Sequence, residues 1–342
     1  MHPRGGPVTP YGAVILDAEG LHLTPQEKTL FRAVRPFGFI LFARNIDTPN
    51  QVRALCAELR EAAGHDAVIM IDQEGGRVQR LHPPFWRDWP APLDQVEQAG
   101  AGAAKAMYLR YRLIAAELNG LGIDSNCAPL VDVFGPATHF FLRNRCYGND
   151  PHTVTQLGRA VADGLLDGGV LPIVKHIPGH GRAAADSHHD LPVVDASLKV
   201  LRESDFVPFR ALCDLPMAMT AHVVYTELDD LPATTSARVM QVIRDEIGFD
   251  GLIMTDDISM KALKGGLCDL VRAALDAGCD VILHCNGTLD ERQQVAEAAG
   301  AMSAVAQARA ERTLAQRKSP DPVDISALTA QLETLTGGRR HG

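Results

Sequence analysis

The sequence predicts an α/β protein, a single-domain (β/α)8 barrel of the TIM type, and three observations predict it. Eight short apolar runs are spread along the chain, amphipathic helical patterns fill the gaps, and a charged or polar side chain follows each run. Most of the runs are continuous rather than alternating, as parallel strands covered on both faces are. Parallel strands that alternate with helices close into a barrel or open into a doubly wound sheet. No Gly-x-Gly-x-x-Gly follows the first run to favour the open sheet.

The elements follow in order. Ala13 to Leu16 forms the first strand and leads to Asp17, and Thr24-Pro25-Gln26-Glu27 is a capping box that starts a helix. Phe39 to Phe42, the second strand, leads to Arg44-Asn45. Thr48-Pro49 then opens a helix over Gln51 to Ala63, with Val52, Leu55, Cys56 and Leu59 on one face. The third strand, Val68 to Ile71, ends at Asp72, and the fourth, Ser125 to Ala128, precedes Asp132. Asp150-Pro151 opens a helix that repeats Val154, Leu157, Val161 and Leu165 at helical spacing. The fifth strand, Ile173-Val174, runs into Lys175-His176, and the sixth, Ala218 to Ala221, into His222. A helix from Thr234 to Ile247 carries Val239, Met240, Ile243 and Ile247. Leu252 to Met254 ends in Asp256, and Val281 to Leu283 leads to Asn286. One domain is expected over 1–342, with a core from about residue 12 to 299. A helical and polar tail follows from about 300, fraying from about Pro320.

Bulk properties narrow the function. A net charge of −9, with 46% hydrophobic and 22% charged residues, is that of an ordinary globular protein. It argues against a nucleic-acid partner, which needs a basic face, and against a polybasic membrane contact. Only four consecutive apolar residues, Ala13 to Leu16, follow the N-terminal segment. That is too short for the apolar part of a signal peptide, and no later run approaches a membrane span. The 7 cysteines are scattered with no Cys-x-x-Cys pair, so buried thiols in a reducing cytoplasm are expected.

The groups that follow the strands recur at one end of the sheet, where barrel enzymes place their chemistry, and so read as one ring around one site. Three segments carry it. In Asp72-Gln73-Glu74-Gly75-Gly76-Arg77-Val78-Gln79-Arg80, the paired glycines permit a tight turn or close approach, and Asp72 and Arg80 can both face inward. Lys175-His176-Ile177-Pro178-Gly179-His180-Gly181, with Asp186-Ser187-His188-His189-Asp190, concentrates titratable groups after a buried strand. Gly251 to Asp257 is a buried strand ending in two carboxylates. Neighbouring strand residues face opposite ways, so Asp256 and Asp257 should differ in job, with Asp257 a helix N-cap or a surface acid. A carboxylate at a barrel mouth opposite a mobile acid suits a retaining glycoside hydrolase. The alternative reading of His176, His180, His188, His189 and Asp186 is a divalent-metal site that activates water. Gly179, Gly181 and Ala183-Ala184-Ala185 give the histidine loop little to pack with, so it is expected to be mobile.

Over about Gly12 to Ala299 these motifs resemble glycoside hydrolase family 3, and specifically its single-domain bacterial β-N-acetylhexosaminidases of cell-wall recycling. The resemblance implies a covalent retaining mechanism without metal or cofactor. Asp256 matches the nucleophile, His188 the acid/base and Asp186 its dyad partner; Asp72, Arg80, Arg145, Lys175 and His176 match sugar-binding positions. The implied reaction removes terminal β-N-acetylglucosamine from small wall fragments, N-acetylglucosaminyl-1,6-anhydro-N-acetylmuramic acid with or without its peptide. A cytoplasmic monomer with no nucleic-acid or membrane partner is expected. Ile177 stands where Phe is usual, Thr255 where Ser is usual and Cys146 where a smaller residue is commoner.

Overall fold

The computed structural model describes residues 9–183 and 191–337. Its strands are β1 (Gly12–Leu16), β2 (Pro36–Leu41), β3 (Val68–Ile71), β4 (Ser125–Asn126), β5 (Leu171–Ile177), β6 (Val193–Val194), β7 (Met217–Thr220), β8 (Val224–Tyr225), β9 (Leu252–Met254) and β10 (Ile282–Leu283). Eight of them form one sheet in the order β10-β1-β2-β3-β4-β5-β7-β9, every neighbouring pair parallel. A parallel bridge from Met254 to Val281 joins the two ends and closes the barrel. These are the eight runs expected from the sequence. The side chains of β1, β2, β3 and β5 are buried along their whole length; the first three carry no polar residue, whereas β5 runs on past its expected end and holds Lys175 and His176 within the strand. The pair β6-β8 was not foreseen; it is a two-residue parallel ladder outside the barrel sheet.

Helix starts follow local chemistry closely. Thr24 and Glu27 make the reciprocal capping box of helix Pro25–Val34. Thr48 and Asp150 cap helices Pro49–Ala63 and Pro151–Asp167 by accepting the amides of Gln51 and Thr153. The expected helix over Thr234 to Ile247 begins later, at Ala237, with Ser236 as its cap. The Thr234 hydroxyl is engaged instead by His222 and Thr220, at 2.7 and 2.8 Å. The second half of that helix, Val242–Ile247, is a wider π turn.

The C-terminal part is more ordered than the sequence suggests. Helix Ala304–Leu314 buries Ala306, Ala310 and Thr313, and the Thr313 hydroxyl donates to the Pro216 carbonyl at 3.1 Å. The core therefore runs past 299. From Pro320 to Gly337 the chain does not fray: Ile325–Leu335 is a helix packed on Ala103–Asn119. Leu332 is buried, and the Leu335 side chain lies over Gly102 so closely that a Cβ there would meet it at 2.9 Å. Leu328, Leu332 and Leu335 sit at helical spacing, a short apolar stripe within a polar composition. Among the described residues no helix is long and apolar enough to cross a membrane.

Candidate active site

A cavity of 290 Å³ opens at the C-terminal ends of the barrel strands, lined in part by Asp72, Arg80, Arg145, Lys175, His176 and Asp256. Six of the eight expected site residues thus meet in one place, although they come from four separate stretches of chain. The other two, Asp186 and His188, lie outside the described residues.

A buried charge cluster forms one wall. Asp72 accepts Lys175 Nζ at 3.1 Å on one oxygen and Arg80 Nη2 at 3.1 Å on the other. Glu74, 1% exposed, takes Arg145 in a two-pronged pair at 2.9 and 2.7 Å and Lys175 Nζ at 2.6 Å. Burial would push both carboxyls up. Lys175 and Arg80 instead hold Asp72 well below the usual carboxylate range, and Arg145 and Lys175 bring Glu74 down to about 2. Burial likewise opposes the Lys175 charge, but Glu74 and Asp72 outweigh it and keep the amine protonated. The wall is therefore a rigid set of ionised donors and acceptors. Glycine makes the geometry possible: Gly75 has φ +112°, and a Cβ there would lie 2.6 Å from the Pro90 carbonyl oxygen.

Glu74 was not singled out in the sequence, yet it fixes both Arg145 and Lys175. Its local signal is slight, a carboxylate two residues after Asp72 beside paired glycines. Its partner Arg145 lies 71 residues away, a distance over which no periodicity speaks.

Asp256 lies two residues past β9, after the buried Thr255. Burial opposes its charge, but the His222 and His176 imidazoles, the Asp257 amide at 2.8 Å and the Lys175 ammonium hold its carboxyl below the ordinary range. It is thus an ionised carboxylate beside open space. His222 supports the turn from behind. Its Nε2 donates to the Asp257 carbonyl at 3.0 Å; a carbonyl only accepts, so Nδ1 is left to accept the Thr234 hydroxyl. Asp257 is neither the helix cap nor the surface acid expected; it braces the turn after β9. One of its oxygens accepts the Ser259 amide at 3.1 Å and the Ser259 hydroxyl at 2.8 Å, pinning the turn.

His176 is oriented by Asp132, to which its Nδ1 donates at 2.7 Å, leaving Nε2 for the cavity. The same carboxylate accepts the His180 amide at 2.6 Å. The start of the histidine loop is accordingly packed, contrary to the expectation of a loose segment. The Gly179 carbonyl accepts the Tyr225 hydroxyl at 2.6 Å, Gly181 leaves no room for a Cβ against the Val133 carbonyl, and Ala183 is buried. Arg182 pairs with Asp205 at 2.7 Å. The part of the mobility expectation that concerns 184–190 falls outside the described residues.

The ring of polar groups after the strands is not one ring of ligands. Asp17 is fully buried, bonded to Arg44, to Arg292 Nε at 2.6 Å and to the Asn286 amide at 2.8 Å, and neither it nor Arg44 lines the cavity. These groups tie the first, second and eighth strands together because each carboxylate buried there needs cations and amides around it. The three departures from the family pattern also face away from the cavity. Ile177 is buried in β5, the Thr255 hydroxyl accepts the Leu283 amide at 2.9 Å, and Cys146 packs with Leu130 and Leu142. All 7 cysteines are free thiols, five of them buried. Among the described residues no group of three or more His, Cys, Asp or Glu side chains is arranged to hold a metal ion.

Comparison with known proteins gives a consistent picture. Residues 26–316 match the model of the glycosyl hydrolase family 3 N-terminal domain. A β-hexosaminidase of Bordetella avium is 38% identical over 286 residues, 81% of each chain. NagZ from Neisseria gonorrhoeae, solved in complex with N-trifluoroacetyl-D-glucosamine, superposes with a TM-score of 0.82 at 30% identity and covers 96% of both chains. A family 3 β-N-acetylglucosaminidase from Paenibacillus superposes with a TM-score of 0.85 at 30% identity, over 94% of this chain and 66% of that one.

Proposed function

The chain belongs to glycosyl hydrolase family 3 and is a β-hexosaminidase, and from that premise we propose that it is a retaining exo-β-N-acetylglucosaminidase of peptidoglycan fragments. Its substrates are N-acetylglucosaminyl-1,6-anhydro-N-acetylmuramic acid and the peptide-bearing forms, cleaved in the cytoplasm during cell-wall recycling by a monomeric enzyme. The observation that carries this reading is the ionised Asp256 carboxylate facing a cavity walled by Asp72, Arg80, Arg145, Lys175 and His176.

In the first step an Asp256 oxygen attacks the anomeric carbon, forming a glycosyl ester as the bond to the leaving oxygen breaks. His188, oriented by Asp186, gives that oxygen its proton. In the second step a water yields a proton to His188 and attacks the same carbon, releasing Asp256 and a sugar of retained configuration. Asp72, Arg80, Lys175, Arg145 and His176 hold the N-acetylglucosamine unit. Two strokes at opposite faces of C1 are what allow one carboxylate to serve twice.

The direct test compares release of nitrophenol from the β-N-acetylglucosaminide and the β-glucoside, each with and without chelator. Cleavage of the first alone, indifferent to chelator, is expected. Activity lost on chelation and restored by zinc supports the metal-dependent reading of the histidines. Binding of N-acetylglucosamine without turnover makes the barrel a binding module.

Arg80 and Lys175 should differ on replacement by alanine. Arg80 has one carboxylate partner and is part-exposed, so Arg80→Ala should raise KM with a small effect on folding. Lys175 is 2% exposed between Asp72 and Glu74. Its removal leaves the buried Glu74 and the part-buried Asp72 short of a cation, a loss of about 3–5 kcal/mol of stability in comparable cases. Lys175→Ala should therefore lower Tm as well as raise KM. Equal Tm and equal KM for both variants and the parent would take these residues out of the sugar site.

A further inference from the structure

His180 has no part in the mechanism above, yet of the described side chains that line the cavity it alone leaves two buried polar atoms without a hydrogen-bond partner. It is 7% exposed, it lines the cavity, and neither ring nitrogen has a hydrogen-bond partner among the described residues. Buried polar atoms nearly always find partners in folded proteins, because an unmade hydrogen bond away from water is costly. The nearest acceptors and donors are otherwise engaged. Asp132 gives one oxygen to His176 Nδ1 and the other to the His180 main-chain amide. The His176 ring, with its centroid 5.5 Å away, is itself held by that carboxylate.

The backbone that carries the ring is held in place. The His180 amide is fixed at 2.6 Å on Asp132, and its carbonyl accepts the Ala183 amide at 3.0 Å. The preceding Gly179 is held by Tyr225 and packs against Asp205. Burial, then the neighbouring His176 and Arg145, push the imidazole down to about 4, with Asp132 and Asp256 pulling the other way. Near neutral pH it is accordingly uncharged, with one N–H donor and one bare acceptor nitrogen. That pairing of a donor with an acceptor suits a sugar hydroxyl, which can donate and accept, better than it suits an ion.

We propose that His180 is a further sugar-contacting residue, one whose ring nitrogen hydrogen-bonds the N-acetylglucosamine unit bound in this cavity. The proposal rests on the functional reading above. It carries a consequence that a structural histidine would not. Removing two unsatisfied buried nitrogens should not weaken the ligand-free fold, whereas removing the sugar contact should weaken binding.

The experiment measures the affinity of free N-acetylglucosamine by calorimetry, and Tm without ligand, for the parent, His180→Phe and His180→Asn. The parent should bind. His180→Phe should bind about tenfold more weakly, the loss of one hydrogen bond, at an unchanged or higher Tm. His180→Asn, which keeps a donor and an acceptor, should recover much of the affinity. If the Phe ring does not fit, His180→Ala takes its place, with the same loss of affinity. Parental affinity in the Phe or Ala variant overturns the proposal. So does a loss of affinity in both variants that follows a matching fall in Tm, since that is a structural role. A parent that binds no N-acetylglucosamine overturns the functional reading itself, and this inference with it.

Discussion

Asp256→Ala should abolish turnover while leaving the fold and sugar binding largely in place. The carboxylate is half-buried and its hydrogen bond in the structure comes from the Asp257 main chain, so no other side chain loses its partner when it is removed. The reaction loses much more. Without a nucleophile the enzyme retains only positioning and acid assistance, and turnover should fall by roughly 10⁴-fold or more. A fluorinated slow substrate should label the parent at Asp256, read by peptide mass mapping. Its amide neighbour is the built-in control: Asp257 is committed to Ser259 and the turn. Label on Asp257, or on no residue, would count against the assignment.

His188→Ala should produce the second large effect, and one that depends on the leaving group. General acid catalysis is worth about 10²–10⁴-fold, and it matters most when the departing oxygen is basic. Natural disaccharides should therefore suffer nearly the whole loss. A nitrophenyl sugar, whose leaving group departs unaided, should keep its first step and stall as the glycosyl ester, because no base then activates water. Azide needs no base, so adding it should restore release of the sugar as the β-azide. Asp186→Asn should show a weaker form of the same pattern. Equal slowing of good and poor leaving groups, with no response to azide, would exclude the dyad and return the histidine loop to its metal-ligand reading.

The sequence by itself determined the barrel and much of its mouth. Parallel strands covered on both faces are mostly apolar, so Val68–Ile71 and Leu252–Met254 announce themselves as unbroken runs. Thr48-Pro49 and Asp150-Pro151 announce helix starts because the cap and its amide are three residues apart. Asp72, Lys175-His176 and Asp256 were legible for the same local reason: each directly follows a buried run, at the end of the barrel where catalytic groups gather. The misplaced helix start at Thr234 and the docked tail mark the limit of such reasoning. Thr234 has a good capping side chain that His222 takes, and the tail's few leucines matter because helix Ala103–Asn119 is there to receive them.

Only the tertiary structure decided which of the polar groups face the cavity and which brace it. Asp17 and Asp256 both follow a strand. Asp17 is turned onto Arg292, 275 residues away, while Asp256 is left beside open space. Glu74 and Asp132 set the positions of Arg145, Lys175 and His176 through contacts that no local pattern encodes. The physical reason is the same throughout. Apolar burial and capping act over three or four residues and leave their period in the sequence. A buried charge must find its counter-charge wherever the closed barrel brings one, and that pairing is written only in three dimensions.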